Sequence, residues 1–307
     1  MAERSVTLSG ATGLIGTRLV GELLAAGWDV TVLSRDPDRA RARLGDRVRA
    51  ERWDLLSEPA PAGSLAGRDA VVSLAGEPVS QRWSAAAKRA IRDSRVTGTE
   101  NLIAGLRAAE DRPGALVSAS ATGYYGPRGA EPVDEEAPPG EDFLAEVCVA
   151  WERATQPAAA ELGMRVVQIR TGVVLDGDGG ALEKMLPPFK LGVGGPIGGG
   201  RQFLPWIHAE DVVGIYLAAL GDERWSGPAN ASAPAPADNR EFSHALGRVL
   251  HRPAVLPVPG FALRALYGEM AQIITSGARV VPAKPLMLGY SFRHPELEEA
   301  LRSALGR

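Results

Sequence analysis

The chain has 307 residues, 45% of them apolar, and its 34 basic against 37 acidic residues leave a net charge of −3. That length suffices for one large domain or two smaller ones with a sizeable core. The near-neutral, slightly acidic balance argues against a nucleic-acid binder or an anionic-membrane binder, and there is no apolar run of the roughly 18 residues that would cross a membrane.

Ser5 to Ser9 reads as a buried strand, which leaves no room for a signal peptide before it. Leu14, Ile15, Leu19, Val20, Leu23 and Leu24 give Gly13 to Ala26 helical spacing, with Gly27 as its stop. Val30 to Leu33 is the next strand, followed by a weaker one at Val48 to Trp53 and others at Ala70 to Leu74 and Ala115 to Ala119. Between the last two lies a long helix carrying Ala87, Ile91, Leu102, Ile103 and Leu106. A helix over Phe143 to Leu162 leads back to a strand at Arg165 to Ile169. This alternation predicts an α/β fold, a doubly wound parallel sheet covered on both faces.

After Gly172 the texture changes. Glycine and proline become dense, as in Gly192 to Gly200. Leu204 to Ala219 carries a helical pattern, and Ala229 to Ala237 reads as a low-complexity surface stretch. Pro253 to Pro259 is extended, and helical patterns follow at Phe261 to Ile274 and Pro295 to Leu305. The expected organisation is a dinucleotide-binding domain over residues 1–175, rejoined by a segment near 204–230. A smaller, mixed substrate-side domain over residues 176–307 is interrupted by that segment.

The single cysteine, Cys148, excludes an internal disulfide. The four histidines (His208, His244, His251 and His294) show no metal-binding spacing, so no metal is expected. A reducing compartment, most simply the cytoplasm, follows.

The strongest motif is Gly10-Ala11-Thr12-Gly13-Leu14-Ile15-Gly16, between the first strand and the first helix. Gly10 permits a tight turn, Gly13 lets backbone approach a pyrophosphate, and Gly16 lets helix and strand pack closely, as in Rossmann folds. The helix start adds amide donors and the positive end of a dipole. The second strand ends Val32-Leu33-Ser34-Arg35, with no carboxylate before Asp36. Ser34 and Arg35 at that place favour a 2′-phosphate over a bare ribose hydroxyl, and so NADP(H).

With Leu33 to Pro37, Leu74 to Pro78, Arg82 to Arg95, Ser118 to Gly126, Arg170 to Leu175 and Gly194 to Val213, these residues resemble the extended short-chain dehydrogenase/reductase superfamily. More narrowly they resemble its atypical NAD-dependent epimerase/dehydratase-like branch with a C-terminal domain of unknown function. The resemblance implies that Leu74, Ala75, Gly76 and Glu77 line the cofactor, that Arg95 reaches it, and that Val174 lies near the nicotinamide. It puts Ser120 or Thr122 where the superfamily keeps its catalytic Ser/Thr.

The superfamily's Tyr-x-x-x-Lys pair falls here on Cys148 and Glu152. Spacing of four puts both on one helix face. A glutamate is anionic near neutral pH, so it favours a proton on its neighbour where lysine would withdraw one. Cys148 remains able to exchange a proton, or is simply a small buried residue. Tyr124 is a further acid–base candidate, as is Tyr125 beside it. Arg201 and His208 are candidate substrate contacts, while Asp211 reads as a helix-start residue.

Two functions stand open. One is an NADP(H)-dependent oxidoreductase or epimerase-like enzyme acting on a small hydroxyl or carbonyl substrate. The other is a non-catalytic NADP(H)-binding sensor or partner-binding protein. A hydrolase is disfavoured by the lack of a G-x-S-x-G elbow. A monomer and a homodimer are both compatible with the pattern.

Overall fold

The computed structural model describes residues 4–307, so the start of the first predicted domain, residues 1–3, lies outside the described residues. The first half alternates as expected: β1 (Ser5–Ser9), α1 (Leu14–Ala25), β2 (Asp29–Ser34), α2 (Pro37–Leu44), β3 (Arg49–Arg52), β4 (Ala70–Ser73), α3 (Ala85–Ala108), β5 (Ala115–Ala121), α4 (Phe143–Ala160) and β6 (Arg165–Thr171). There follow β7 (Val173–Leu175), α5 (Gly180–Lys190), β8 (Trp206–His208), α6 (Ala209–Gly221), β9 (Gly227–Ala231), α7 (Asn239–Leu250), α8 (Gly260–Tyr267) and α9 (Leu297–Ala304).

Seven strands form one sheet in the order β9-β6-β5-β4-β1-β2-β3, and every neighbouring pair is parallel. The order reverses between β1 and β4, the switch point at which such sheets open a crevice for ligands. Val6, Leu8, Val30 and Val32 pack on one face against Leu19 and Leu23 of α1 and Ile215 and Tyr216 of α6. On the other face Val71, Leu116 and Val166 meet Leu102, Ile103 and Leu106 of α3. Each fully buried Leu or Ile contributes about 1.5–3 kcal/mol relative to exposure. A second core joins Leu182 and Phe189 of α5, Phe242 and Leu246 of α7, and Leu301 of α9 around Trp206.

The helices start where local chemistry caps them. Ser84 Oγ accepts the Ala87 amide at 3.1 Å and Asp142 Oδ1 accepts the Ala145 amide at 2.9 Å. Asp238 and Glu241 close a capping box at α7.

Three local expectations need correction. The helical pattern at Leu204 to Ala219 opens with strand β8, and the helix begins only at Ala209. Pro205 precedes β8, and His208 Nδ1 accepts the Glu210 amide at 3.2 Å as the cap of α6. The supposed surface stretch at Ala229 to Ala237 begins as β9, with Ala229, Asn230 and Ala231 buried. Small side chains there admit close neighbours: the Gly172 amide donates to the Ala231 carbonyl at 2.9 Å. Finally, the predicted helix over Phe261 to Ile274 breaks at Gly268, whose φ of 63° ends α8.

Candidate functional site

The glycine turn and the loop after β4 meet at the switch point. Gly10 has φ +71°, and a Cβ there would lie 2.6 Å from the Ala75 nitrogen. A Cβ on Gly16 would lie 2.4 Å from the Gly10 carbonyl oxygen. Gly13 is exposed, and the nearest atom to a Cβ there is the Gly10 oxygen at 3.3 Å. The turn is therefore closed on its protein side and open outward. No side chain caps α1, and no acidic residue sits in its first turn. Such a cradle fits a dinucleotide pyrophosphate. Thr12, Leu14 and Ile15 are half-buried around it, with Leu14 against Gly179 and Gly180.

At the end of β2, Ser34 Oγ exchanges hydrogen bonds with the backbone of Asp36, and the Asp36 carboxylate caps α2 through the Arg39 amide at 3.0 Å. Arg35 is exposed and makes no ion pair among the described residues. Along the β4 loop, Leu74, Ala75 and Glu77 are half-buried and Gly76 is exposed. Arg95 lies against this loop: its Nη1 donates to the Glu77 carbonyl at 3.0 Å, and its guanidinium sits 5.1 Å from the Trp151 ring centroid. Burial lowers the Arg95 pKa. A Cβ at Gly76 would come within 3.1 Å of that guanidinium. Val174, on β7, is half-buried and pairs with Ile207.

The acid–base candidates occupy a different arrangement from the superfamily's pair. Cys148 is buried, and burial followed by the Glu152 charge pushes its thiol up to about 12. At neutral pH it is a protonated, packed side chain. Glu152 is held by Arg170 of β6 through two bonds, Nε to Oε1 and Nη2 to Oε2, both 2.8 Å. Ser120 Oγ donates to the same Oε1 at 2.7 Å. Arg170 Nη1 also donates to Tyr125 Oη at 3.0 Å and to the Glu135 carbonyl at 3.2 Å. Burial disfavours the Arg170 charge, but the bonds and charge of Glu152 and Tyr125 outweigh it, so its pKa is raised. Tyr125 is fully buried and donates to Asn230 Oδ1 at 2.7 Å, with burial moving its hydroxyl up to about 12.

Tyr124 differs. It is half-buried, its ring lies 3.4 Å beneath the Arg170 guanidinium, and its hydroxyl makes no hydrogen bond among the described residues. Thr122, just beyond β5, makes one long contact to the Thr171 carbonyl at 3.5 Å. Glu152 and Tyr125 are thus bonded to Arg170, and Ser120 to Glu152, whereas the Tyr124 hydroxyl has no partner among the described residues. Sequence reasoning passed over Arg170, Glu135 and Asn230. The available signal was an arginine next to Ile169 on a strand that also carries Val166 and Val167, where burial demands a partner.

The two substrate candidates separate. Arg201 is exposed and unpaired among the described residues. His208 is buried and its ring meets that of His294 at a tilt of 44°, ring centroids 3.8 Å apart. With Glu210 these imidazoles form a group whose donor atoms lie within 4.8 Å of one another. Sequence spacing did not reveal it, because His294 arrives from the C-terminal segment. Arg293 already reaches Glu210 Oε2 at 3.5 Å, and the start of α6 adds positive potential, which disfavours a cation there.

Burial first, then the His294 imidazole, holds the His208 pKa below its ordinary 6.5. Glu210 and Asp211 pull it upward and Arg18 adds to the lowering. The unfolded chain therefore takes up a proton that the folded one refuses. The associated stability is complete above pH 6.5 and declines as pH falls through that value toward the lower folded pKa. Thermal unfolding between about pH 7.5 and about pH 5.5 is expected to show a falling Tm. His208→Asn, which keeps a capping oxygen, should flatten that slope; equal slopes would refute the assignment.

Comparison with known proteins accords with this geometry. The profile of the NAD dependent epimerase/dehydratase family matches residues 6–229, and a domain of unknown function, DUF1731, matches residues 258–304. An epimerase family protein of Mycobacterium bovis is 42% identical over 309 residues, covering 100% of this chain and 99% of that one. The Arabidopsis thaliana chloroplastic SDR39U1 homolog is 40% identical, covering 99% of this chain and 87% of its own. The crystal structure of human epimerase family protein SDR39U1 with NADPH superposes with a TM-score of 0.87 at 36% identity, covering 99% of both chains. By its sequence and its sheet, the chain belongs to the NAD dependent epimerase/dehydratase family.

Proposed function

We propose that the protein binds NADP(H) and is an oxidoreductase or epimerase-like enzyme acting on a small hydroxyl or carbonyl substrate. One observation carries the reading: an open, uncapped glycine turn accompanied by an exposed, unpaired Arg35 and by an Asp36 already spent on capping α2. The NADPH in the human relative supports it. Substrate would bind between the carboxyl ends of the strands and residues 176–307.

When bound, NADP(H) supplies or takes the hydride at the substrate carbon. Tyr124 Oη gives a proton to the carbonyl oxygen in reduction and receives it from the hydroxyl in oxidation, exchanging it with solvent. Arg170 holds the Tyr124 ring, Glu152 holds Arg170, and Ser120 donates to Glu152. Thr122 orients the same substrate oxygen. Cys148 packs beneath as a thiol.

Titration with NADPH and NADH, followed by nicotinamide fluorescence, is expected to show at least about a tenfold preference for NADPH, about 1.4 kcal/mol. Arg35→Ala should abolish that preference. If neither nucleotide binds, the reading falls.

A second reading, a non-catalytic NADP(H) sensor or partner-binding protein, is favoured by the loss of both the tyrosine and the lysine of the superfamily pair. Oxidation of bound NADPH by any member of a carbonyl panel would exclude it.

A further inference from the structure

The charge balance of the chain is an average over 307 residues, and it conceals one surface of the opposite character. Large apolar side chains are exposed on two segments, at Leu191, Val193, Val255, Leu256, Phe261 and Leu266, with Leu191 at 78% and Phe261 at 77% exposure. The backbone brings the two segments side by side. Ile197 bridges Val258, the Val258 amide donates to the Pro196 carbonyl at 2.8 Å, and the Arg252 Nε donates to the Lys190 carbonyl at 3.0 Å. The helix α8 that follows buries none of its residues. Isolated exposed apolar residues are ordinary; a run of them on adjoining segments marks an interaction surface.

Charge identifies the partner. Residues 187–193 and 251–267 contain Lys190, His251, Arg252 and Arg264 and no aspartate or glutamate. Beside Val255 a groove is lined by His244, Arg248, His251 and Arg252. Of these, Arg248 is paired, with Glu298 at 2.7 Å. A basic rim around exposed Leu, Val and Phe, its two segments free of acids and Glu298 paired with Arg248 at the groove, matches a layer of phosphates over acyl chains. We propose that this ledge docks the protein onto an anionic phospholipid bilayer, with α8 at the headgroup–acyl boundary and the groove against a lipid phosphate. No helix among the described residues is long and apolar enough to cross a membrane, so the contact is peripheral. Local attraction outweighs the net charge because distant acidic residues are screened beyond a Debye length of about 8 Å at physiological salt.

The test is flotation of the full chain with vesicles of phosphatidylcholine alone or mixed with phosphatidylglycerol. Binding is expected to the mixed vesicles only, and to weaken with added salt. Phe261→Asp with Leu266→Asp should abolish it. Lys190→Glu with Arg264→Glu should weaken it about tenfold or more. Neither of these two cations makes a side-chain hydrogen bond or ion pair among the described residues, so Tm and circular dichroism should stay unchanged. Failure to float with either vesicle, equal binding to both, or binding indifferent to these substitutions overturns the proposal. So does a concentration-dependent dimer that Phe261→Asp dissolves, which would assign the ledge to a second copy of the chain.

Discussion

Arg170→Met is expected to destabilise the protein by about 3–5 kcal/mol, the cost of leaving a buried ionic partner uncompensated. Arg170 is 3% exposed and Glu152 13%, so water replaces the lost guanidinium poorly. The same substitution removes the donors to Tyr125 Oη and to the Glu135 carbonyl. Adding Glu152→Gln should restore part of the loss, because no unpaired charge then stays behind while Ser120 keeps an acceptor. Urea unfolding of the two single variants and the double variant measures this coupling. A double variant no better than Arg170→Met alone would show that the pair is not where the energy lies.

Gly10→Val is expected to weaken NADPH binding about a hundredfold or more, which corresponds to about 2.7 kcal/mol. Its φ of +71° disfavours any side chain by about 1–2 kcal/mol, and the new Cβ would meet the Ala75 nitrogen and the Leu74 carbonyl carbon at 2.6 Å. Both obstacles are backbone, so the turn and the β4 loop must part, and the amides lose their aim. Gly13→Ala separates binding from folding. Its Cβ would face only the Gly10 oxygen at 3.3 Å, so Tm should hold while NADPH affinity drops. Unchanged affinity in both variants would mean that the pyrophosphate lies elsewhere.

The glycine turn and the parallel sheet were readable because each residue there answers to its chain neighbours. A positive φ demands Gly10, and strands covered on both faces demand Val, Ile and Leu. That Cys148 and Glu152 share one helix was readable for the same reason: a spacing of four on one helix fixes a shared face. The polar cluster around Arg170 was not readable. Tyr125 and Asn230 meet across 105 positions, and Glu152 and Arg170 across two elements. No local pattern encodes those encounters. The edge strand β9 was missed because Gly, Pro, Ala and Asn have the composition of a loop, and only burial against β6 and the 278–281 segment makes it a strand. The break at Gly268 shows the converse, a helical periodicity overruled by one backbone angle.

The position of β9 has a bearing on how the chain reaches this state. β9 pairs with β6 from residues 227–231, 56 positions beyond the end of β6 (227 − 171 = 56). During synthesis the six other strands of the sheet emerge while it still ends at β6, an unpaired edge carrying the costly Arg170. Only when Asn230 arrives does Tyr125 find its acceptor, and only when Lys284 follows do both backbone amides meet on Glu135 Oε1. Contacts of such sequence separation form late and together. The nascent protein therefore passes through a stage in which its most interdependent polar residues face solvent, and chaperone dependence and aggregation should concentrate in that interval.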